Sequence, residues 1–221
     1  MNIRNNQIPN KLNPMGIKEL PAGYTRVKAL RCEVQTGWAN NTSGSYIEWF
    51  RSFDASYRMD MTLRYYKTVK YQRNGCYTSG RTVQFGMNSE QAEFIMVAVP
   101  PVGAPYPKFT SDLLKHTISI DIPNGIYMLD GNVIGTFTPE SHVWDFGFTL
   151  GACAILDAGT SYYPYTYCAE EIYECSAYKN GVLCSKLIPC LDRNNRPCMY
   201  DTIRKITLYN LGPSEFSVIT V

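Results

Sequence analysis

Asn180-Gly181 stands between two runs of β-forming residues, Glu171-Ile-Tyr-Glu-Cys-Ser-Ala-Tyr-Lys before it and Val182-Leu after it. A two-residue turn that matches the twist of its flanking strands needs φ > 0 at both central positions, and Asn-Gly is the pair that adopts this most readily. The chain is therefore expected to double back here as a β-hairpin. Asp130-Gly131 makes the same demand between Ile126-Tyr-Met-Leu and Asn132-Val-Ile-Gly-Thr-Phe. Between these turns the apolar residues recur every second position. Met59, Met61, Leu63 and Tyr65 alternate with Asp60, Thr62 and Arg64, the period of a half-buried strand. That alternating stretch is expected to run from Arg58 to Tyr71, comparable ones occupy 82–87, 93–99, 117–122, 126–129 and 133–137, and no stretch sustains a helical period. Asp192 to Pro197 is polar and turn-rich, a surface loop before another extended run. The Pro-rich piece 100–107 fits neither a helix nor a central strand and reads as a further loop.

The expectation is an all-β chain, and its length suits a single sandwich. At 221 residues the chain can bury roughly 70–75% of its unfolded surface in one core. Residues 1–19 are polar, with Pro9 and Pro14 spoiling any helix, so they read as an N-terminal arm ahead of one domain at 20–221. A net charge of +2 is too small to argue for a nucleic-acid partner. No apolar run approaches the ~18–20 residues that span a bilayer, and the first residues lack the apolar core of a secretory signal. Eight cysteines without such a signal are expected as reduced thiols packed as small hydrophobes, not as a disulfide framework. No pair has CxxC spacing and the only histidines are His116 and His142, so no metal site and no cofactor is expected.

Three stretches carry a resemblance. Leu20-Pro-Ala-Gly-Tyr-Thr-Arg-Val-Lys-Ala-Leu opens the domain, the Asp130-Gly131 hairpin follows a strand beginning His116-Thr, and Asn180-Gly181 leads to Met199-Tyr-Asp-Thr and Gly212-Pro-Ser-Glu-Phe. In this order they resemble the concanavalin A-like (laminin-G-like) β-sandwich domains of bacteriophage and gut-bacterial surface proteins. Gly44-Ser-Tyr-Ile-Glu-Trp stands where the family has a Tyr-Ile-Asp-Thr-Gly-like strand, a departure that leaves the register there open. The resemblance covers about residues 20–216. It implies an antiparallel jelly-roll sandwich whose first strand pairs near the last. It also implies a non-enzymatic virion structural protein, of capsid-decoration, head-fibre or tail-fibre type, made in a host cytoplasm. Other virion proteins would be met through the arm and sheet edges, further copies of the chain would assemble with it, and glycans would be held weakly. A bacterial lectin-like surface module is the alternative, and a glycan hydrolase of the same fold is a third.

The chemistry sought in the residues gives few candidates. Glycoside hydrolysis needs two carboxylates flanking the sugar. Glu170, Glu171 and Glu174 come nearest, without the Glu-x-Asp-x-x-Glu spacing of the β-glucanase relatives, so no catalytic residue is assigned. His116 has no evident nucleophile or acid around it in the sequence and reads as a structural strand-end histidine. Asp192, Asn194, Asn195 and Asp201 offer oxygen ligands for calcium, but a solvated loop accounts for them. The interleaved basic and aromatic residues from Arg64 to Arg73 suit a single-strand nucleic-acid surface or, equally, the wet face of a strand. For sugar stacking, the candidates are Tyr162, Tyr163, Tyr165 and Trp38. The alternation of Tyr163, Tyr165 and Tyr167 is also what a packed sheet face requires.

Overall fold

The computed structural model describes residues 20–34, 44–68, 72–78, 81–87, 92–98, 107–110, 112–139, 141, 143–144, 147–157 and 161–220. Every regular element among them is a strand. The expected arm at 1–19, Trp38, His142 and most of the Pro-rich stretch lie outside the described residues.

Two large sheets form the sandwich. The first runs Asn132–Thr136, Ile126–Leu129, His116–Asp121, Tyr57–Tyr65, Glu170–Lys179, Val182–Leu191, Pro197–Asp201, Ile206–Tyr209. Its central strand, Glu170–Lys179, pairs along its length with Tyr57–Tyr65. On its other side it pairs first with Ala29–Arg31 and then with Val182–Leu191. Ala29–Arg31 also pairs with Ser217–Ile219, so the first and last parts of the domain close on each other. The second sheet runs Ser161–Tyr167, Ala152–Asp157, Gln72–Thr78, Arg81–Met87, Ala92–Ala98, Lys108–Thr110, with Phe148–Leu150 joining it to Ile47–Phe50. Pairing is antiparallel throughout the described strands except between Ala152–Asp157 and Gln72–Thr78, which run parallel.

The alternation in Tyr57–Tyr65 is realised as expected. Met59, Met61, Leu63 and Tyr65 are buried, while Asp60, Thr62 and Arg64 lie on the other face. Both tight turns form with positive φ at both centres, 51° and 80° at Asp130 and Gly131, 51° and 77° at Asn180 and Gly181. A Cβ on Gly131 or Gly181 would touch nothing, so backbone conformation alone selects glycine there. Between the sheets, the core holds Trp49, Phe50, Phe53, Phe85, Trp144 and Phe148 beside the methionines. The rings of Phe53 and Trp144 stack with centroids 4.9 Å apart, and Trp49 stacks on Phe50 at 5.0 Å. The buried indole of Trp49 donates to Ser185 Oγ at 2.8 Å, and Ser185 donates in turn to Asp201 Oδ2. None of the eight cysteines forms a disulfide, and seven are buried.

Candidate functional site

The face of the first sheet that turns away from the core is polar, and register decides which side chains meet on it. Arg58 is directly opposite Asp121 on one neighbouring strand and Tyr178 on the other. The turn after Asp121 returns Asn124, whose amide Nδ2 donates to both oxygens of Asp121 at 3.0 Å and whose backbone N–H adds a third bond. The Asn180-Gly181 turn is tied to the same end, Asn180 N–H donating to Ser56 O at 3.0 Å. Ser56, Arg58, Asp121, Asn124, Tyr178 and Asn180 thereby surround a recess of about 420 Å³.

Arg58 donates from Nε and Nη2 to the two oxygens of Asp60, at 2.9 and 3.2 Å, and this pairing raises the basicity of its guanidinium. Its Cζ lies 5.8 Å from the centre of the Tyr178 ring. Arg58 and Asp60 neutralise each other, and the recess is lined by the Arg58 guanidinium, the Asp121 carboxylate held by Asn124, the amides of Asn124 and Asn180, Ser56 and the Tyr178 ring. Such a surface suits an uncharged ligand rich in hydroxyls, held by hydrogen bonds and stacking. Sequence reading missed this site because Arg58, Asp121 and Tyr178 are far apart in the chain. Its two turns were legible, but the register that joins them was not.

The carboxylates weighed for hydrolysis separate. Glu170 is buried, with Oε2 accepting from Asn74 Nδ2 at 2.6 Å and Oε1 from the N–H of Gly151 at 3.0 Å. Glu171 has the opposite register face and accepts from Arg31 Nη2 at 2.6 Å and from the Tyr173 hydroxyl at 2.8 Å. Burial works against its ionisation, yet the Arg31 hydrogen bond and charge hold its carboxyl below the usual range. A bulge then sets Glu174 near Arg26 and Lys186, at 3.9 and 4.0 Å. The three do not line one cleft.

His116 departs from the sequence reading in one respect: it does have acids around it. Nδ1 lies 2.6 Å from Asp130 Oδ2 and Nε2 lies 2.9 Å from Asp112 Oδ1. The Asp130-Gly131 turn folds back over the start of the strand, where Asp130 Oδ1 also accepts from Thr117 N–H. With both ring nitrogens engaged by carboxylates, the imidazole is a clamp between a turn and a loop.

The loop weighed for calcium is held by its own backbone. Asp192 Oδ1 accepts from the N–H groups of Asn194 and Arg196, and its Oδ2 from the Tyr209 hydroxyl. Asp201 caps a different turn, accepting from the N–H groups of Ile203 and Arg204. Among the described residues no cluster of three or more His, Cys, Asp or Glu side chains could hold a metal ion. Of the basic and aromatic run, Tyr65 is in the core, and the Tyr66 ring lies 4.7 Å below the Arg31 guanidinium. Lys67 also lies over the Tyr66 ring, 5.5 Å from its centre, and Val69, Lys70 and Tyr71 lie outside the described residues. Tyr162, Tyr163 and Tyr165 lie in Ser161–Tyr167, at the end of the second sheet, with side chains outside the described residues, as is Trp38. Tyr167, in the same alternating series, is buried against Tyr46, with ring centroids 6.1 Å apart.

The fold and these sites define an all-β sandwich with a polar outer face and a recess at one end. Compared with known proteins, the chain matches no family model and no curated protein significantly.

Proposed function

We propose that this chain is a non-enzymatic attachment module, a virion structural protein of the bacteriophage decoration or fibre type that holds neutral glycans weakly. One observation carries the binding part. The Arg58–Asp121–Tyr178 row ends in a recess with donors, acceptors and one aromatic plane, while the nearby carboxylates are engaged by amides or guanidinium groups. The assembly part is supported by the last strand of the first sheet, Ile206–Tyr209. Ile206 and Leu211, both exposed, line a groove there with Phe50 and Arg204, the kind of sheet edge that takes a neighbouring chain. The resemblance of the opening, hairpin and closing stretches to phage sandwich domains supports the virion setting.

A glycan array followed by NMR titration of the whole chain tests the binding. Millimolar to high-micromolar binding of a neutral glycan is expected, with shifts at Arg58, Asn124 and Tyr178 and loss in Tyr178→Ala. No binding at high protein concentration, or binding indifferent to Tyr178→Ala, removes the recess from the account. Turnover of a polysaccharide that stops in Glu171→Gln would overturn the non-enzymatic reading. Mass spectrometry of purified phage particles containing this polypeptide decides the virion setting.

A further inference from the structure

Cys190 and Cys198 are directly opposite each other on adjacent antiparallel strands, with their Sγ atoms 3.5 Å apart. They do not belong to the main core. Ile188, Cys190, Cys198 and Tyr200 form a small separate apolar cluster, covered by Leu20, Tyr24 and Tyr209. Leu20 to Tyr24 thus crosses the sheet as a strap. It is pinned by the Tyr24 hydroxyl, 3.0 Å from Thr207 Oγ1, and by the Tyr24 ring, 5.8 Å from that of Tyr200. Under this strap both cysteines are fully buried.

We propose that Cys190 and Cys198 form a reversible thiol–disulfide pair whose access to oxidant is gated by the Leu20–Tyr24 strap. The backbone permits the bond. On the same ladder, Asp192 N–H donates to Arg196 O and Thr202 N–H donates to Lys186 O. Cys190 and Cys198 lie two and four residues from these rungs, which makes theirs a hydrogen-bonded position, with Cα atoms about 5.5 Å apart. That separation falls inside the ~4.4–6.8 Å a disulfide spans. The sulfurs, now 3.5 Å apart, must still close to ~2.05 Å to form the bond.

The step balances with a low-molecular-weight disulfide such as glutathione disulfide as oxidant. The thiolate of Cys198 attacks one glutathione sulfur, forming a mixed disulfide and releasing one glutathione thiolate. The thiolate of Cys190 then attacks the Cys198 sulfur and releases the second. Two protein thiols lose two electrons, the oxidant gains them, and the two thiol protons end on two glutathione molecules. The step balances equally with Cys190 as the first nucleophile. Contact with Cys190 holds the Cys198 thiol below its ordinary value, whereas that same contact and burial push Cys190 up. The other buried thiols are pushed up by burial, Cys153 to about 12, and are poor nucleophiles.

The test incubates the whole chain in glutathione buffers of increasing oxidised fraction, blocks remaining thiols with iodoacetamide and maps the linked peptides by mass spectrometry. A 190–198 link that forms in the folded chain and reverses in reduced glutathione is expected. Tyr24→Ala and, as a second variant, Leu20→Ala should form it about tenfold faster by loosening the strap. Absence of the link in the folded wild-type chain, or linkage through other cysteines instead, overturns the pair. Equal rates in wild type and in both strap variants, each shown folded by circular dichroism, overturn the gating.

Discussion

The Nδ1 atom of His116 lies 2.6 Å from Oδ2 of Asp130, so the side chain that starts one strand is clamped to the turn that ends the next strand, Ile126–Leu129. Asp112 closes the other side of the ring. The imidazole is partly withdrawn from water, which works against its charge. The two carboxylates outweigh this and raise its pKa above the ordinary 6.5. Both partners are lowered in turn: Asp112 chiefly by its bond to His116, and Asp130, against its own partial burial, by Thr117 N–H and His116.

The pH dependence follows from these signs. A histidine whose folded pKa is raised contributes stability that is complete below the unfolded value near 6.5 and is lost as pH rises through the folded value. The aspartates contribute above their unfolded value near 3.8, and their share is lost as pH falls through the lowered folded values. The clamp is therefore strongest between these limits. Thermal melts of the wild type should fall in Tm as pH rises from 6 to 9, and His116→Asn should remove most of that slope. An unchanged slope in His116→Asn would show that the clamp contributes nothing.

Glycines of two kinds should respond differently to alanine. At Gly181 the added methyl meets open space, so Gly181→Ala costs only the strain of positive φ, about 1–2 kcal/mol. At Gly75 the same methyl would sit 2.1 Å from the carbonyl oxygen of Val83, with φ at 100°, and the strand pair must move apart. Urea denaturation is expected to show a modest midpoint shift for Gly181→Ala and loss of the folded baseline for Gly75→Ala. Equal costs would contradict this distinction.

Asp201 is the hub under Trp49. It receives Ser185 Oγ–H, the Arg204 guanidinium, and the amides of Ile203 and Arg204, and burial is outweighed so that its carboxyl stays below the usual range. Asp201→Ala strands these donors and should cost about 3 kcal/mol or more. Ser185→Ala leaves the buried Trp49 indole N–H without its acceptor and should cost ~1–3 kcal/mol. Chemical denaturation followed by circular dichroism measures both.

Neighbouring glutamates on one strand should differ as their faces do. Glu170→Ala removes the acceptor of Asn74 and Gly151 deep between the sheets, an expected loss of about 3–5 kcal/mol. Glu171→Ala frees Arg31, which is one-third exposed and can turn to water, an expected loss of ~1–2 kcal/mol. Denaturation midpoints compared at one pH would reveal the asymmetry. The reverse ranking would place Glu170 outside the packed interior.

Local features of the chain were enough to specify the tight turns and the faces of several strands. Asn180-Gly181 and Asp130-Gly131 set their turns because positive φ is a property of two residues, settled without reference to the rest of the molecule. Met59, Met61 and Leu63 set which face of their strand is buried for a similar reason, since alternation acts along one strand. The tertiary structure alone decided that Gln72–Thr78 lies parallel to Ala152–Asp157, that Arg58 meets Asp121 and Tyr178, that two aspartates flank His116, and that Cys190 faces Cys198 beneath the strap. These juxtapositions depend on which strands become neighbours and in what register. That choice comes from burying two apolar faces against each other over the whole sandwich, a quantity no short stretch of sequence contains.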